Sequence, residues 1–270
     1  MSSISDTLKK ALPYPLKRAL GETRDALERA AQWPAATYHP WRRDTVARLA
    51  ELRDRHSGER CFVIGNGPSL RQTDMTRLRG EYTIGVNRIY LMFPELGFKT
   101  SYYASINDLV IQQCAADIQA LDIPRFIAWR SHRWLRPDPS LFFLHTSYTG
   151  PTFAADLTKR VYEGATVTYV ALQAAFYLGF KEVILIGVDH SFSTSGKPNT
   201  TVTSQGDDPN HFSPGYFGAG FRWQLPDLET SERSYRMAAA AYQAAGRRVL
   251  DATIAGKLAV FPKVDYRSLF

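Results

Sequence analysis

Short apolar runs and amphipathic stretches alternate along most of the chain, and together they predict an α/β protein. Cys61-Phe62-Val63-Ile64 is apolar without alternation and breaks at Gly65-Asn66-Gly67-Pro68-Ser69-Leu70, as a buried strand does when it enters a tight turn. Residues 82–86, 100–105 and 125–129 read as three further strands, the first of them ending at Asn87. Val167, Val170, Ala171, Ala174, Ala175 and Leu178 fall on one helical face behind Thr166, a predicted N-cap, and Gly179 is the predicted left-handed stop. Val183-Ile184-Leu185-Ile186 then predicts a central parallel strand that ends at Asp189-His190. A helix over 229–245 and a strand over 248–251 complete the pattern. Alternation of this kind predicts a mostly parallel, Rossmann-like sheet with helices on both faces.

Two regions depart from that rhythm. Residues 1–59 read as a helical extension, with segments over 22–32 and 44–55, Asp44 as an N-cap and Gly58 as a stop. Leu8, Leu12, Leu16 and Leu20 recur every four residues beside Lys9, Lys10, Lys17 and Arg18, although Pro13 and Pro15 interrupt the repeat. Residues 191–226 are polar, contain glycine and proline, and show no period, which predicts a functional lid. The expected organisation is therefore a basic extension, 1–59, and a nucleotide-binding catalytic domain, 60–270.

Composition narrows the partners. Apolar residues make up 44% and charged residues 22%, ordinary values for a globular chain. The sequence contains neither an apolar run near the ~18 residues of a membrane span nor a secretory h-region, so a cytoplasmic location is expected. Cys61 and Cys114 are too few for a disulfide framework and have no metal-ligand spacing; both are expected to be structural. The net charge of +7 is uneven: residues 1–60 hold twelve basic and eight acidic residues, a net of +4, which leaves +3 for the rest. This is no nucleic-acid-binding stripe. A basic leader fits first a solvated face, then an anionic membrane surface at the inner face of the membrane, or a second copy in a homo-oligomer.

Ligands of doubly wound sheets bind beyond the carboxyl ends of the strands. Three such ends carry polar groups here: Asn66 and Ser69, Asn87, and Asp189 with His190. Gly65 and Gly67 would let the backbone approach a ligand, and N–H groups of that turn would receive phosphate oxygens. The turn is neither G-x-G-x-x-G nor a P-loop, and its plainer reading is a strand-to-helix connection capped by Ser69. His211, inside the lid, is the leading candidate base, because an imidazole exchanges protons near neutrality; His190 is its rival, and loop packing its structural alternative. Asp207 and Asp208 read as cation ligands or as plain turn formers.

The strand-end residues Gly65–Leu70 and Asn87-Arg88-Ile89-Tyr90 resemble the start of the bacterial sialyltransferases that use CMP-sialic acid. Leu178–Val183 leading to Gly187-Val188-Asp189 resembles their second nucleotide segment, and the pattern over roughly 60–265 is similar to a broad bacterial family named after the archaeal 6-hydroxymethylpterin diphosphokinases. The first resemblance implies an inverting, metal-free and cofactor-free transfer of a keto sugar acid from a CMP-activated donor to a glycan acceptor, in surface polysaccharide synthesis. Asn66, Ser69, Asn87 and Asn107 would contact the donor. Thr166 or Thr168 would replace the serine of those enzymes' Thr-Ser-Gly turn, and Ser191 stands where they have tyrosine. Of their His-Tyr-x-x-His lid only the first histidine has a counterpart, His211, with Gly215 at the second; Tyr216 or Arg222 would stabilise the departing phosphate. The second resemblance implies ATP-dependent, Mg²⁺-assisted diphosphoryl transfer to a pterin-like molecule, for which Asp189, Asp207 and Asp208 are the grouped carboxylates. A non-catalytic nucleotide-binding module is the third reading.

Overall fold

The computed structural model describes residues 23, 26, 27, 30–148, 152–194 and 196–270, so the leucine repeat at 8–20 lies outside the described residues. Residues 30–38 are helical, and helix α1 (Pro40–Leu52) follows. Its cap is His39, whose Nδ1 accepts from the Trp41 N–H at 3.2 Å, and Pro40 opens the first turn, where a missing N–H costs nothing. Asp44 is thus not the cap; it sits within the helix and pairs with Arg48 at 2.8 Å. Leu49 and Leu52 of α1 belong to the same apolar cluster as the central sheet.

The sheet contains β1 (Arg60–Ile64), β2 (Tyr82–Val86), β3 (Tyr102–Ser105), β4 (Arg125–Ala128), β5 (Leu141–Ser147), β6 (Arg160–Tyr162) and β7 (Glu182–Ile186). A separate hairpin pairs β8 (Thr201–Thr203) with β9 (Arg222–Gln224), and β10 (Arg248–Asp251) returns to the sheet. The eight-stranded order is β10-β7-β1-β2-β3-β4-β5-β6, and every pairing in it is parallel. This is a doubly wound, Rossmann-like α/β fold. The pattern does not anticipate β5 or β6. All of Leu141–Ser147 is buried, and its polar last three residues disguise a strand that follows neither period.

Both faces of the sheet are covered. Cys61 and Val63 join the cluster under α5 (Val167–Tyr177) and α6 (Leu228–Ala244), while Phe62 and Ile64 join the cluster on the opposite face. That second face carries α2 (Phe93–Leu96), α3 (Asp108–Gln113) and α4 (Ala115–Gln119). Helix α5 is buried nearly all round, which explains why it is apolar beyond one stripe. Gly179 ends the turn after it at φ +98°, and a Cβ there would lie 2.8 Å from the Asp54 Cα, so only glycine closes this end against the loop behind α1. No described helix is long and apolar enough to cross a membrane.

The segment 191–226 is folded rather than a free flap. Its hairpin projects from a body in which Phe212, Tyr216 and Phe217 are buried in the second cluster.

Candidate functional site

From β1 the strand order runs to β2 on one side and to β7 on the other. The carboxyl ends of these strands mark the reversal, and a cleft of about 1950 Å³ opens there. Its walls are the turns after β1, β2 and β7, the N-terminal ends of α3, α5 and α6, and the inner side of 191–226.

The turns after β1 and β7 lie directly against each other. Gly65 N–H donates to Ile186 O at 2.8 Å, and Gly67 N–H to Gly187 O at 2.9 Å. A Cβ on Gly65 would sit 2.2 Å from Gly187 O, and one on Gly67 would sit 1.8 Å from Asp189 Oδ2. The two glycines pack on the neighbouring turn and also line the cleft. Ser69 is not a helix cap either. Its N–H and Oγ donate to Asp189 Oδ1 and Oδ2 at 3.1 and 2.7 Å, while Gly67 occupies the cap position of the 3-10 turn Pro68–Gln72. Burial pushes the Asp189 carboxyl up from its ordinary range, and the bonds from Ser69 oppose it.

Asn66 is 8% exposed and donates from Nδ2 to Val86 O at 3.0 Å. A carbonyl only accepts, so the amide orientation is fixed and Oδ1 is left buried with no partner among the described residues. Asn87 adopts φ +49° at the end of β2, and its Oδ1 accepts from Ser105 Oγ at 3.1 Å. Asn107 and Thr166 line the cleft as helix caps. Asn107 Oδ1 accepts from the N–H groups of Leu109 and Val110, and Thr166 Oγ1 from that of Thr168, itself buried at the cleft wall. What these residues present to the cleft is the positive end of α3 and of α5. His190 takes φ +53°; burial pushes its imidazole below the ordinary histidine value, and Glu232, 3.9 Å from Nε2, partly restores it.

His211 projects from the lid into this cleft. Its Nδ1 is 2.7 Å from Asp208 Oδ2, and its ring stacks on Tyr216 with centroids 4.0 Å apart and planes 6° apart. Among the described residues its Nε2 has no hydrogen-bond partner. The next residue is clamped through both its backbone groups: Phe212 N–H donates to Asn66 O at 2.9 Å, and Arg71 Nε donates to Phe212 O at 2.6 Å. The lid histidine is thereby tied to the turn after β1.

Two expected contacts fall elsewhere. Tyr216 is wholly buried, its hydroxyl accepts from the Arg88 N–H at 3.2 Å, and burial pushes that hydroxyl well above its ordinary pKa. It supports the His211 ring and does not reach a phosphate. Arg222 points away from the cleft to Gln112 at 3.2 Å, while its backbone pairs with the Gln113 side chain. Its neighbours Trp223 and Gln224 form that part of the wall.

Two participants escape the sequence reading. Asp208 looks like a turn former, and it is one, accepting from the Asn210 N–H at 3.0 Å. Its three-residue spacing to His211 was the signal for its second contact. Arg130 stands just after β4, another strand end, and lines the cleft. Nε donates to Asp108 at 2.7 Å; the other nitrogens donate to Thr146 Oγ1, Ile106 O and both oxygens of Glu163. Burial would lower its pKa, but Glu163 and Asp108 outweigh that and raise it.

A doubly wound parallel sheet with a large polar cleft at its order reversal defines a Rossmann-like α/β protein, and the cleft is its candidate ligand site. Residues 42–195, more than half of the chain, match the family model of 6-hydroxymethylpterin diphosphokinase MptE-like proteins, and the chain belongs to that family. Among solved structures it is similar to the MAf glycosyltransferase from Magnetospirillum magneticum AMB-1, with a TM-score of 0.52 and 14% identity over 84% of this chain. The match spans 38% of that longer protein. A mammalian sialyltransferase aligns over 80% of this chain and 79% of its own at 13% identity, with a TM-score of only 0.32. No curated protein matches the chain significantly in sequence.

Proposed function

We propose that the chain is an inverting glycosyltransferase that moves a keto sugar acid, sialic acid-like in chemistry, from a CMP-activated donor to a glycan acceptor. The observation that carries this reading is His211, clamped over the reversal-point cleft with Nε2 unpartnered among the described residues. The cleft, at about 1950 Å³, exceeds the roughly 300–1,000 Å³ of an ordinary small-ligand pocket and suits two substrates at once. The activity named for the MAf protein, whose fold the chain shares, agrees with it.

In this mechanism the acceptor hydroxyl gives its proton to His211 Nε2 as its oxygen attacks the anomeric carbon. The bond from that carbon to the phosphate oxygen breaks, and CMP leaves with the electron pair. The positive end of α5 at Thr166–Thr168 faces the departing phosphate, and Asn66, at the cleft wall, contacts the donor. Arg130 is no phosphate clamp, because carboxylates and carbonyls already take its donors. The basic leader, with Trp33 and Tyr38 exposed on the helical segment beside it, would rest on an anionic membrane surface at the cytoplasmic face.

The family's name supports the alternative, Mg²⁺-assisted diphosphoryl transfer from ATP. The carboxylates expected to serve it lie apart in role: Asp189 is bonded to Ser69, Asp208 to His211, and Asp207 is exposed. Calorimetry with CMP, CDP, ATP and GTP, each with and without Mg²⁺, separates the readings. CMP binding that ignores Mg²⁺ is expected, and Asn66→Ala should weaken it about tenfold through loss of one buried hydrogen bond. Mg²⁺-dependent ATP binding would replace this reading with phosphoryl transfer. Binding to none of the four would favour a non-catalytic module.

A further inference from the structure

Resting on that reading, we infer that Asp208 is a positioning residue: it fixes which ring nitrogen of His211 faces the substrates. A neutral imidazole has one N–H and one acceptor nitrogen, and the hydrogen bond made by one decides the state of the other. Asp208 Oδ2 accepts, at 2.7 Å from Nδ1, so Nδ1 carries the proton and Nε2 keeps its lone pair. Among the described residues Nε2, on the ring edge opposite Asp208, has no hydrogen-bond partner.

The holder around this pair is more elaborate than a turn requires. Asp208 is 6% exposed, and its second oxygen is occupied by the Asn210 N–H at 3.0 Å, which prevents the carboxylate from swinging away. Asn210, equally buried, accepts from Ser193 N–H and Oγ at 2.8 and 3.0 Å and donates to Thr194 Oγ1 at 3.1 Å, tying the start of the lid to the same node. Tyr216 fills the face of the imidazole, and the Phe217 ring stands edge-on to it at 4.8 Å. These contacts fix the ring's plane, tilt and tautomer. A histidine that merely packed a loop would need only some of them, and would be expected to use both nitrogens. Asp208 therefore acts through His211 and touches neither donor nor acceptor.

The decisive measurement is ¹⁵N NMR of the histidine-labelled full chain, with His211 assigned by its loss in His211→Gln. The expected spectrum shows neutral His211 with Nδ1 protonated and Nε2 bare, and Asp208→Asn admits the Nε2–H form because an amide can donate as well as accept. With a CMP-sugar donor, Asp208→Asn should lower kcat roughly 10²-fold while KM and CMP affinity stay within about 3-fold. An Nε2–H tautomer in the wild type overturns the inference, and so does unchanged kcat in Asp208→Asn. The wild-type spectrum needs no turnover, and no folded variant beyond the His211→Gln that assigns it. If no CMP-sugar is turned over, the glycosyltransferase reading falls, and the tautomer alone still decides for or against Asp208.

Discussion

The cleft contains two partly buried polar clusters that each set a basic side chain against carboxylate and differ in what they leave free. In one, Arg130 lies between Asp108 and Glu163; in the other, His211 lies against Asp208. Every nitrogen of Arg130 is taken, by two carboxylates, a hydroxyl and a carbonyl. Among the described residues, His211 has one nitrogen held and one unpartnered. Charge alone would nominate Arg130 as the anion-binding group of the cleft. Counting the valences left over nominates His211 as the reactive group and makes Arg130 a brace that joins the ends of β4, β5 and β6. A charged side chain in a cleft is evidence of binding only after its partners in the protein have been subtracted.

The strongest way to break this contrast is Arg130→Met. Removing the cation strands Glu163, whose side chain is 6% exposed, and leaves Asp108 with only the half-exposed Arg133. Loss of one partner from a buried pair costs about 3–5 kcal/mol, and urea unfolding should show a loss of that order. CMP affinity of the folded fraction should hardly change. Normal stability with abolished CMP binding would make Arg130 a phosphate ligand and end the contrast.

A smaller effect is expected where the two central turns meet. Gly65→Ala places a methyl 2.2 Å from a backbone oxygen, Gly187 O, which cannot step aside as a side chain can. Overpacking of this kind typically costs about 1–3 kcal/mol. Gly67→Ala meets the Asp189 carboxylate, a movable group, and should cost less in stability while breaking the Ser69–Asp189 bonds. A melting series with Gly67→Ala the less stable of the two would show that the side-chain contact, and not the backbone one, sets the spacing of these turns.

Much of this arrangement is legible in the sequence, and the illegible part has a physical cause. The strands β1 and β7 announce themselves by unbroken apolar runs and β2 by a β-rich stretch that ends at Asn87, and the reversal-point rule then carries Asn66, Asn87 and Asp189 to one place. The cap at Thr166 and the left-handed Gly179 follow from local geometry alone. The lid does not. Phe212, Tyr216 and Phe217 follow no period because their burial depends on Asn66, Arg71 and Arg88, more than a hundred residues away. For the same reason Tyr216 reads as a catalytic candidate in the sequence, and only the fold turns its hydroxyl inward. Arg222 misleads for a related reason: its side chain and backbone are taken up by Gln112 and Gln113 of α3, about 110 residues away in sequence.

The smallest effect separates the two histidines of the cleft. His211 has a carboxylate in hydrogen-bond contact, whereas the Glu232 carboxylate nearest His190 is 3.9 Å away and burial is the larger influence on the ring. Burial favours neutral His190, so its pKa is lower in the folded chain than in the unfolded one. Between those two values the unfolded chain binds more protons, and stability rises with pH. The contribution is complete above the ordinary histidine value near 6.5 and is lost as pH falls through the lower, folded value. His190→Gln removes the titration while keeping a polar side chain of similar reach, so its unfolding free energy should vary less with pH across that window and match the wild-type slope above it. A wild-type profile that falls instead of rising through the window would mean that Glu232 outweighs burial and that His190, like His211, is held by its carboxylate.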